Sequence, residues 1–237
     1  MRVTVIETGR APARLSEDFP RYPEMFKALL GAADDGLTFE VVQLVDGQGL
    51  PDPAQCEAVV ITGSPAGVYD ETPWMDPLRD FVRGAFAVKT PMVGVCFGHQ
   101  IIADAMGGDV RKSEKGWGVG RHTYEVVKHR PWMTSDKTTV SLAVSHQDQV
   151  ITPPPGATTL ARSAHTEHAI IEYENAPVMS LQGHPEFGNA FVGELYAARR
   201  GRLPDALVDG AIASLKQPED NALVGRWMAT FLRTARG

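Results

Sequence analysis

A cysteine between two glycines, at the end of an apolar run, is the residue of this chain best placed to do chemistry. Gly94-Val95-Cys96-Phe97-Gly98-His99-Gln100 follows Pro91 to Val95, which reads as a buried strand, and opens Ile101 to Met106, which reads as a short helix closed by Gly107-Gly108. The glycines permit a tight strand-to-helix turn and a close approach that a Cβ would obstruct. Such a turn lifts the sulfur above the sheet edge and sets it at a helix N-terminus, where unpaired N–H groups and the dipole favour thiolate over thiol. A free cysteine is only a few per cent thiolate at neutral pH, so the location supplies what nucleophilic attack needs. A cysteine in an apolar strand is otherwise a small core residue. The flanking glycines and the following His-Gln favour the nucleophile.

A partner lies far along the chain. In Val178-Met179-Ser180-Leu181-Gln182-Gly183-His184-Pro185-Glu186 the apolar part reads as a strand, with His184 just past its C-terminal end. Sites of parallel α/β sheets form at the carboxyl ends of strands, so Cys96 and His184 are expected on one edge. Glu186 is close enough to turn back, fix the imidazole tautomer and support the imidazolium, as the third member of a triad does.

These segments resemble class I (triad-type) glutamine amidotransferases. Two further segments agree: Thr62-Gly63-Ser64-Pro65 with Val68-Tyr69-Asp70 is similar to the family's oxyanion loop, and Ser145-His146-Gln147-Asp148 to its Ser-His-x-Asp segment. Four motifs in family order span about residues 40 to 190, nearest to the group related to the amidotransferase domain of GMP synthase. The resemblance implies that Cys96 attacks a glutamine-type amide to give a γ-glutamyl thioester, with His184 as base and acid and Glu186 as its orienter. Backbone N–H groups near Gly63 or Ser64, and of Phe97, would form the oxyanion hole. Gln100, Ser145 and His146 would line the substrate pocket. One departure stands out, because Ser64 occupies a position where the family usually has glycine.

Composition agrees with a globular α/β protein. The chain has 237 residues, 43% hydrophobic and 22% charged, with a net charge of −6, which offers no general attraction to nucleic acid or anionic membrane. Cys56 and Cys96 are too few for a disulfide scaffold, and a reactive thiol suits a reducing cytoplasm. The N-terminus reads as too short and polar for a signal peptide, and no apolar run approaches the ~20 residues of a membrane helix. His122, His129, His165 and His168 lack partners at zinc-site spacing, so neither a metal nor another cofactor is expected.

The elements that must position these residues alternate. Arg2 to Glu7, Phe39 to Val45 and Ala58 to Thr62 read as strands. Tyr22 to Leu30 carries Met25, Phe26, Leu29 and Leu30 at helical spacing. Pro73 to Val88 reads as a helix, with Thr72 as cap and Pro73 at its first position. After Gly108 the texture turns to β, with Thr123 to Val127, Thr138 to Val144, Thr158 to Ala161 and Ala169 to Tyr173 expected as antiparallel strands at the sheet's edge. The fold class that follows is α/β, a doubly wound, mostly parallel, flavodoxin-like sheet with added antiparallel strands and a helical C-terminal extension. Residues 1–190 are expected to form the catalytic domain and 191–237 an extension packed on it. In that extension Ala222, Val224, Trp227, Met228, Phe231 and Leu232 could face the parent domain or form a homodimer surface. Arg199-Arg200-Gly201-Arg202 reads as solvated.

Three functional classes remain open on these residues. The chain could be a γ-glutamyl hydrolase acting on glutamine or a γ-glutamyl compound, an ammonia-supplying glutaminase subunit of a separate synthase, or a silent binding module. It carries no phosphate-binding loop of the Walker A or ATP-pyrophosphatase kind, so any ammonia acceptor would be another protein or water.

Overall fold

The computed structural model describes residues 1–235; Arg236 and Gly237, at the end of the expected helical extension, lie outside them. The order is β1 (Arg2–Ile6), α1 (Tyr22–Ala33), β2 (Thr38–Val42), β3 (Ala58–Ile61), α2 (Met75–Val88), β4 (Met92–Val95), α3 (Phe97–Ala105), β5 (Asp109–Lys112), β6 (Gly118–Val126), β7 (Thr139–His146), β8 (Asp148–Thr152), β9 (Ala157–Arg162), β10 (Ile170–Tyr173), β11 (Val178–Leu181), α4 (Asn189–Ala197), α5 (Asp205–Ser214) and α6 (Asn221–Thr234). Among the described residues one sheet runs β2-β1-β3-β4-β11-β10-β9-β6-β7. Its β2, β1, β3, β4 and β11 are parallel, and β10, β9, β6 and β7 continue antiparallel.

Side chains of a strand alternate between faces, and both faces of the parallel part are apolar. Val3, Val5, Val60, Val93 and Val95 pack under Phe26 and Leu30 of α1 and Trp227 and Leu232 of α6. Ile6, Val59, Ile61 and Met92 pack under Leu78, Phe81 and Val82 of α2 and Ile101 and Ile102 of α3. This is the expected doubly wound, mostly parallel sheet with an antiparallel continuation.

Several details differ from the expectation. Strand β2 stops at Val42, and Leu44–Asp46 makes a 3-10 turn instead. Helix α2 begins at Met75 with Trp74 at its cap position; Thr72 closes the preceding turn, its carbonyl accepting from Met75 N–H at 3.2 Å. β5 and β8 pair as a separate antiparallel two-stranded sheet, a long-range pairing that no local pattern announces. In α6, Val224, Trp227, Met228, Phe231 and Leu232 are buried against α1 and the sheet, whereas Ala222 is exposed. Those five side chains therefore face the parent domain.

Candidate active site

β3, β4 and β11 end on the same edge of the sheet, and the chain leaving each of them builds the site. The Cys96 N–H donates to Leu181 O at 2.9 Å and the Gly98 N–H to Thr62 O at 3.2 Å, so the turn after β4 is tied to both neighbouring strand ends. Cys96 sits at φ +54°, ψ −101°, a conformation that costs a non-glycine residue about 1–3 kcal/mol and persists where its surroundings dictate it. The two glycines have a steric reason to be glycine. A Cβ at Gly98 would lie 2.3 Å from Ile61 O, and one at Gly94 would lie 2.4 Å from Gly98 O. Helix α3 therefore rests backbone-on-backbone on the sheet, with Cys96 as its N-cap and first-turn amides that have no intrahelical acceptor.

His184 is held from outside its own strand. Its N–H donates to Ala143 O at 2.9 Å, forming a bridge to β7, so the far edge of the sheet curls back to fix it. Its Nδ1 hydrogen-bonds Glu186 Oε1 at 2.7 Å, and its ring stacks on Phe187 with centroids 4.0 Å apart. A Cβ at Gly63 would lie 3.0 Å from His184 Cε1 and 3.8 Å from Cys96 Cβ. Cys96, His184, Glu186 and Gly63 thus converge, and the three side chains of the expected triad are buried.

Burial works against charge on His184, but the Glu186 carboxylate and the Cys96 sulfur outweigh it and raise the imidazole to about 10. The direction favours a proton on the ring, set by Glu186 and Cys96. His99, in the first half of α3 and fully buried, hydrogen-bonds the Ser180 hydroxyl at 2.8 Å, and burial lowers it to about 3. It is a neutral strut.

These opposite shifts set opposite stability limbs. His99 binds its proton more readily unfolded, so its contribution is present above pH 6.5 and is lost as pH falls towards 3. His184 binds its proton more tightly folded, so its contribution is present below pH 6.5 and is lost as pH rises towards 10. Each limb has a slope of at most about 1.4 kcal/mol per pH unit. Urea midpoints across pH should show His184→Gln flattening the alkaline limb alone; an unchanged alkaline limb would show that His184 is not charged in the folded state.

The cleft over Cys96 has a volume of about 320 Å³ and is lined by Gly63, Ser64, His184, Phe187, Tyr22, Ser145 and Arg199, among others. A second lobe of about 350 Å³ is lined by Tyr69, Gln100, His146 and Asp148, and shares Ser64, Pro65, Arg199 and Arg202 with the first. The residues expected to bind substrate are therefore divided. Ser145 borders the Cys96 lobe, its hydroxyl accepting from Arg199 Nε at 2.9 Å. Gln100 and His146 border the second lobe: Gln100 Nε2 donates to Asp148 O at 2.7 Å and to Gln182 Oε1 at 3.2 Å, and His146 Nδ1 meets Asp148 O at 3.1 Å.

In the loop after β3, the Ser64 hydroxyl donates to Thr8 O at 2.8 Å and accepts from Ala66 N–H at 3.1 Å. Neither Gly63 nor Ser64 has a positive φ. Serine is accommodated here because the backbone does not use the left-handed region, while Gly63 is required by the closeness of His184. Phe97 is fully buried at the first position of α3.

Sequence reasoning missed Tyr22, Phe187, Arg199 and Arg202. The expectation that the arginine run is solvated holds for Arg200, which pairs with Asp205 and Asp209, but not for Arg199. Its guanidinium lies 4.4 Å over the Trp117 ring and borders the cleft. The turn after α4 folds back over the site, and nothing in the local sequence signals that direction.

The glutamine amidotransferase class-I family matches this chain over residues 35–197. A glutamine amidotransferase-like protein of Schizosaccharomyces pombe is 26% identical over 97% of this chain and 98% of its own length. Gamma-glutamyl peptidase 4 of Arabidopsis thaliana is 30% identical, covering 70% of this chain and 68% of its own length. A glutamine-hydrolysing GMP synthase subunit of Sulfolobus acidocaldarius is 30% identical over 63% of this chain and 78% of its own. A solved glutamine amidotransferase from Thermotoga maritima shares the fold, with a TM-score of 0.76 at 18% identity over 99% of this chain and 97% of that one. The family match spans most of the chain, includes the strained cysteine turn and the histidine–glutamate pair, and leads to one conclusion: the chain belongs to the class I glutamine amidotransferases.

Proposed function

We propose that this chain hydrolyses γ-glutamyl amides through Cys96, with His184 and Glu186 completing a triad. The observation that carries this reading is the meeting of a positive-φ cysteine at a helix N-terminus with a buried histidine whose carboxylate partner lies 2.7 Å away. The Cys96 sulfur, as thiolate, adds to the γ-carbonyl carbon while His184 holds the proton. The oxyanion is received by the Phe97 N–H and an N–H at Gly63 or Ser64. Collapse breaks the C–N bond, and His184 gives its proton to the departing amine, leaving the γ-glutamyl thioester. Water then adds to the thioester, its proton passing to His184, and glutamate departs as the C–S bond breaks.

Residues 1–190 serve as the catalytic domain and 191–237 as a helical extension, of which Leu195, Ala198, Arg199 and Arg202 line one side of the cleft. The tied Ser64 hydroxyl favours an oxyanion loop already set at rest, as an enzyme working alone requires. Similarity to the Sulfolobus GMP synthase chain supports a second reading, in which a separate synthase takes the ammonia. Assay of the purified chain with glutamine and with γ-glutamyl dipeptides, measuring ammonia and glutamate, separates them. The expected result is glutamate release from a dipeptide without ATP, metal or partner. Silence on the whole panel, followed by glutamine hydrolysis when a synthase is added, would reverse the assignment.

A further inference from the structure

Three arginines fall within four residues at the end of α4, and the fold treats them differently. Arg200 is exposed and neutralised by Asp205 and Asp209. Arg199 and Arg202 border both lobes of the cleft, and among the described residues neither has a carboxylate partner. Arg199 is also preorganised. Its Nε is committed to Ser145 Oγ at 2.9 Å and its Cζ lies 4.4 Å over the Trp117 ring, while its terminal nitrogens have no acceptor among the described residues. A guanidinium fixed in this way presents a rigid fork that matches a carboxylate. Burial, helped by the nearby Arg202 charge, pushes the Arg199 guanidinium down, so a cation is being held where an anion would be welcome.

The two lobes differ in lining and give room for two parts of a substrate. The second lobe holds Asp148 and Gln100, suited to the amino end of the glutamyl unit. Apolar Tyr22, Phe187 and Leu195 line the Cys96 lobe alone, and this is the space left for the group on the other side of the scissile bond. Arg199 and Arg202 line it where it joins the second lobe.

We propose that Arg199, assisted by Arg202, binds the carboxylate of the leaving group, which makes the preferred substrate a γ-glutamyl amino acid or peptide and free glutamine a poor one. The proposal rests on the γ-glutamyl hydrolase reading for its chemistry, but the carboxylate subsite can be tested without turnover.

The test compares γ-glutamylglycine with γ-glutamyl methylamide, which differ only in that carboxylate, and with N-(4-aminobutyryl)glycine, which lacks the α-carboxylate instead. For the unmodified chain kcat/KM should favour γ-glutamylglycine over the methylamide by roughly 10- to 100-fold, the size of one charged hydrogen bond. In Arg199→Met, which keeps an apolar stem over Trp117, this preference should shrink to within about 3-fold, chiefly through KM, with γ-glutamylglycine losing far more than the methylamide, which loses only what the broken hydrogen bond to Ser145 supplied; Arg199→Lys should recover part of the preference. An equal loss on the dipeptide and the methylamide would overturn the proposal and make Arg199 a support for the cysteine, as would an Arg199→Met effect that disappears only with the substrate lacking the α-carboxylate. Calorimetry with a Cys96→Ser background reads the subsite independently. Tighter binding of γ-glutamylglycine than of the methylamide, abolished by adding Arg199→Met, would uphold it even if no γ-glutamyl compound is turned over. Equal binding of the two ligands to the Cys96→Ser protein would overturn it.

Discussion

His184→Ala and Cys96→Ala should each lower kcat on a γ-glutamyl substrate by about 10³-fold or more, while Glu186→Gln leaves a measurable rate. Members of a nucleophile–base unit act together, so either single loss removes most of what the unit supplies. Without His184 the thiol has no acceptor for its proton and the departing amine has no donor. Glu186 acts only through the Nδ1 contact at 2.7 Å, and glutamine at that position can still accept one hydrogen bond from the ring. His184→Ala also leaves a buried carboxylate without its partner, so the variant is expected to lose some stability, and its rate must be measured well below its unfolding midpoint. Chemical labelling gives a second readout that folding does not confuse. A diazo-ketone analogue of glutamine should modify Cys96 and not Cys56, which caps a short turn and whose thiol burial pushes up. A His184→Ala rate within tenfold of the unmodified chain, or label found on Cys56, would refute the triad.

What could be read from the sequence was whatever the chain states locally. The glycines around Cys96 forecast a close backbone contact, and the structure supplies it at Ile61 O and Gly98 O. The strand-then-histidine pattern put His184 on the same edge as Cys96, and Glu186 two residues on was near enough to reach it. The residues that stayed invisible reach the site through tertiary structure. Tyr22 opens a helix far upstream, and its contribution depends on α1 lying beside the loop after β11. Arg199 carried the marks of a solvated charge run until the turn after α4 brought it over Trp117. The pairing of β5 with β8 depends on two short, mixed-polarity segments far apart in the chain, which no periodicity connects. The division of Ser145 from His146 between two lobes follows from strand alternation, since neighbours in β7 face opposite ways, although the motif alone presents them as one unit.

Gly98→Ala tests the other half of the elbow, the packing that holds the cysteine in its strained state. The added methyl would sit 2.3 Å from Ile61 O and 2.9 Å from Ile61 C, and these are backbone atoms of a central strand that no rotamer change can move. Gly98 has no positive φ, so conformational preference does not explain its presence; space alone does. To admit the methyl, α3 must lift from β3, breaking the Gly98 N–H to Thr62 O bond and loosening Ile101 and Ile102, both fully buried. Overpacking of this kind costs about 1–3 kcal/mol and more where backbone must shift, so the urea midpoint should fall by the equivalent of about 3 kcal/mol or the protein should fail to accumulate. Gly210→Ala is the matched control. It lies in α5 with nothing within 4 Å of the added Cβ, and a glycine-to-alanine change in an exposed helix should raise stability by up to about 1 kcal/mol. Because Cys96 owes its φ of +54° to the anchored helix start, the fraction of Gly98→Ala that still folds should also react more slowly with an alkylating agent than the unmodified chain. If Gly98→Ala instead unfolds within about 0.5 kcal/mol of the unmodified chain, the elbow is not held by this contact, and the strain at Cys96 must be maintained by the Leu181 and Thr62 hydrogen bonds alone.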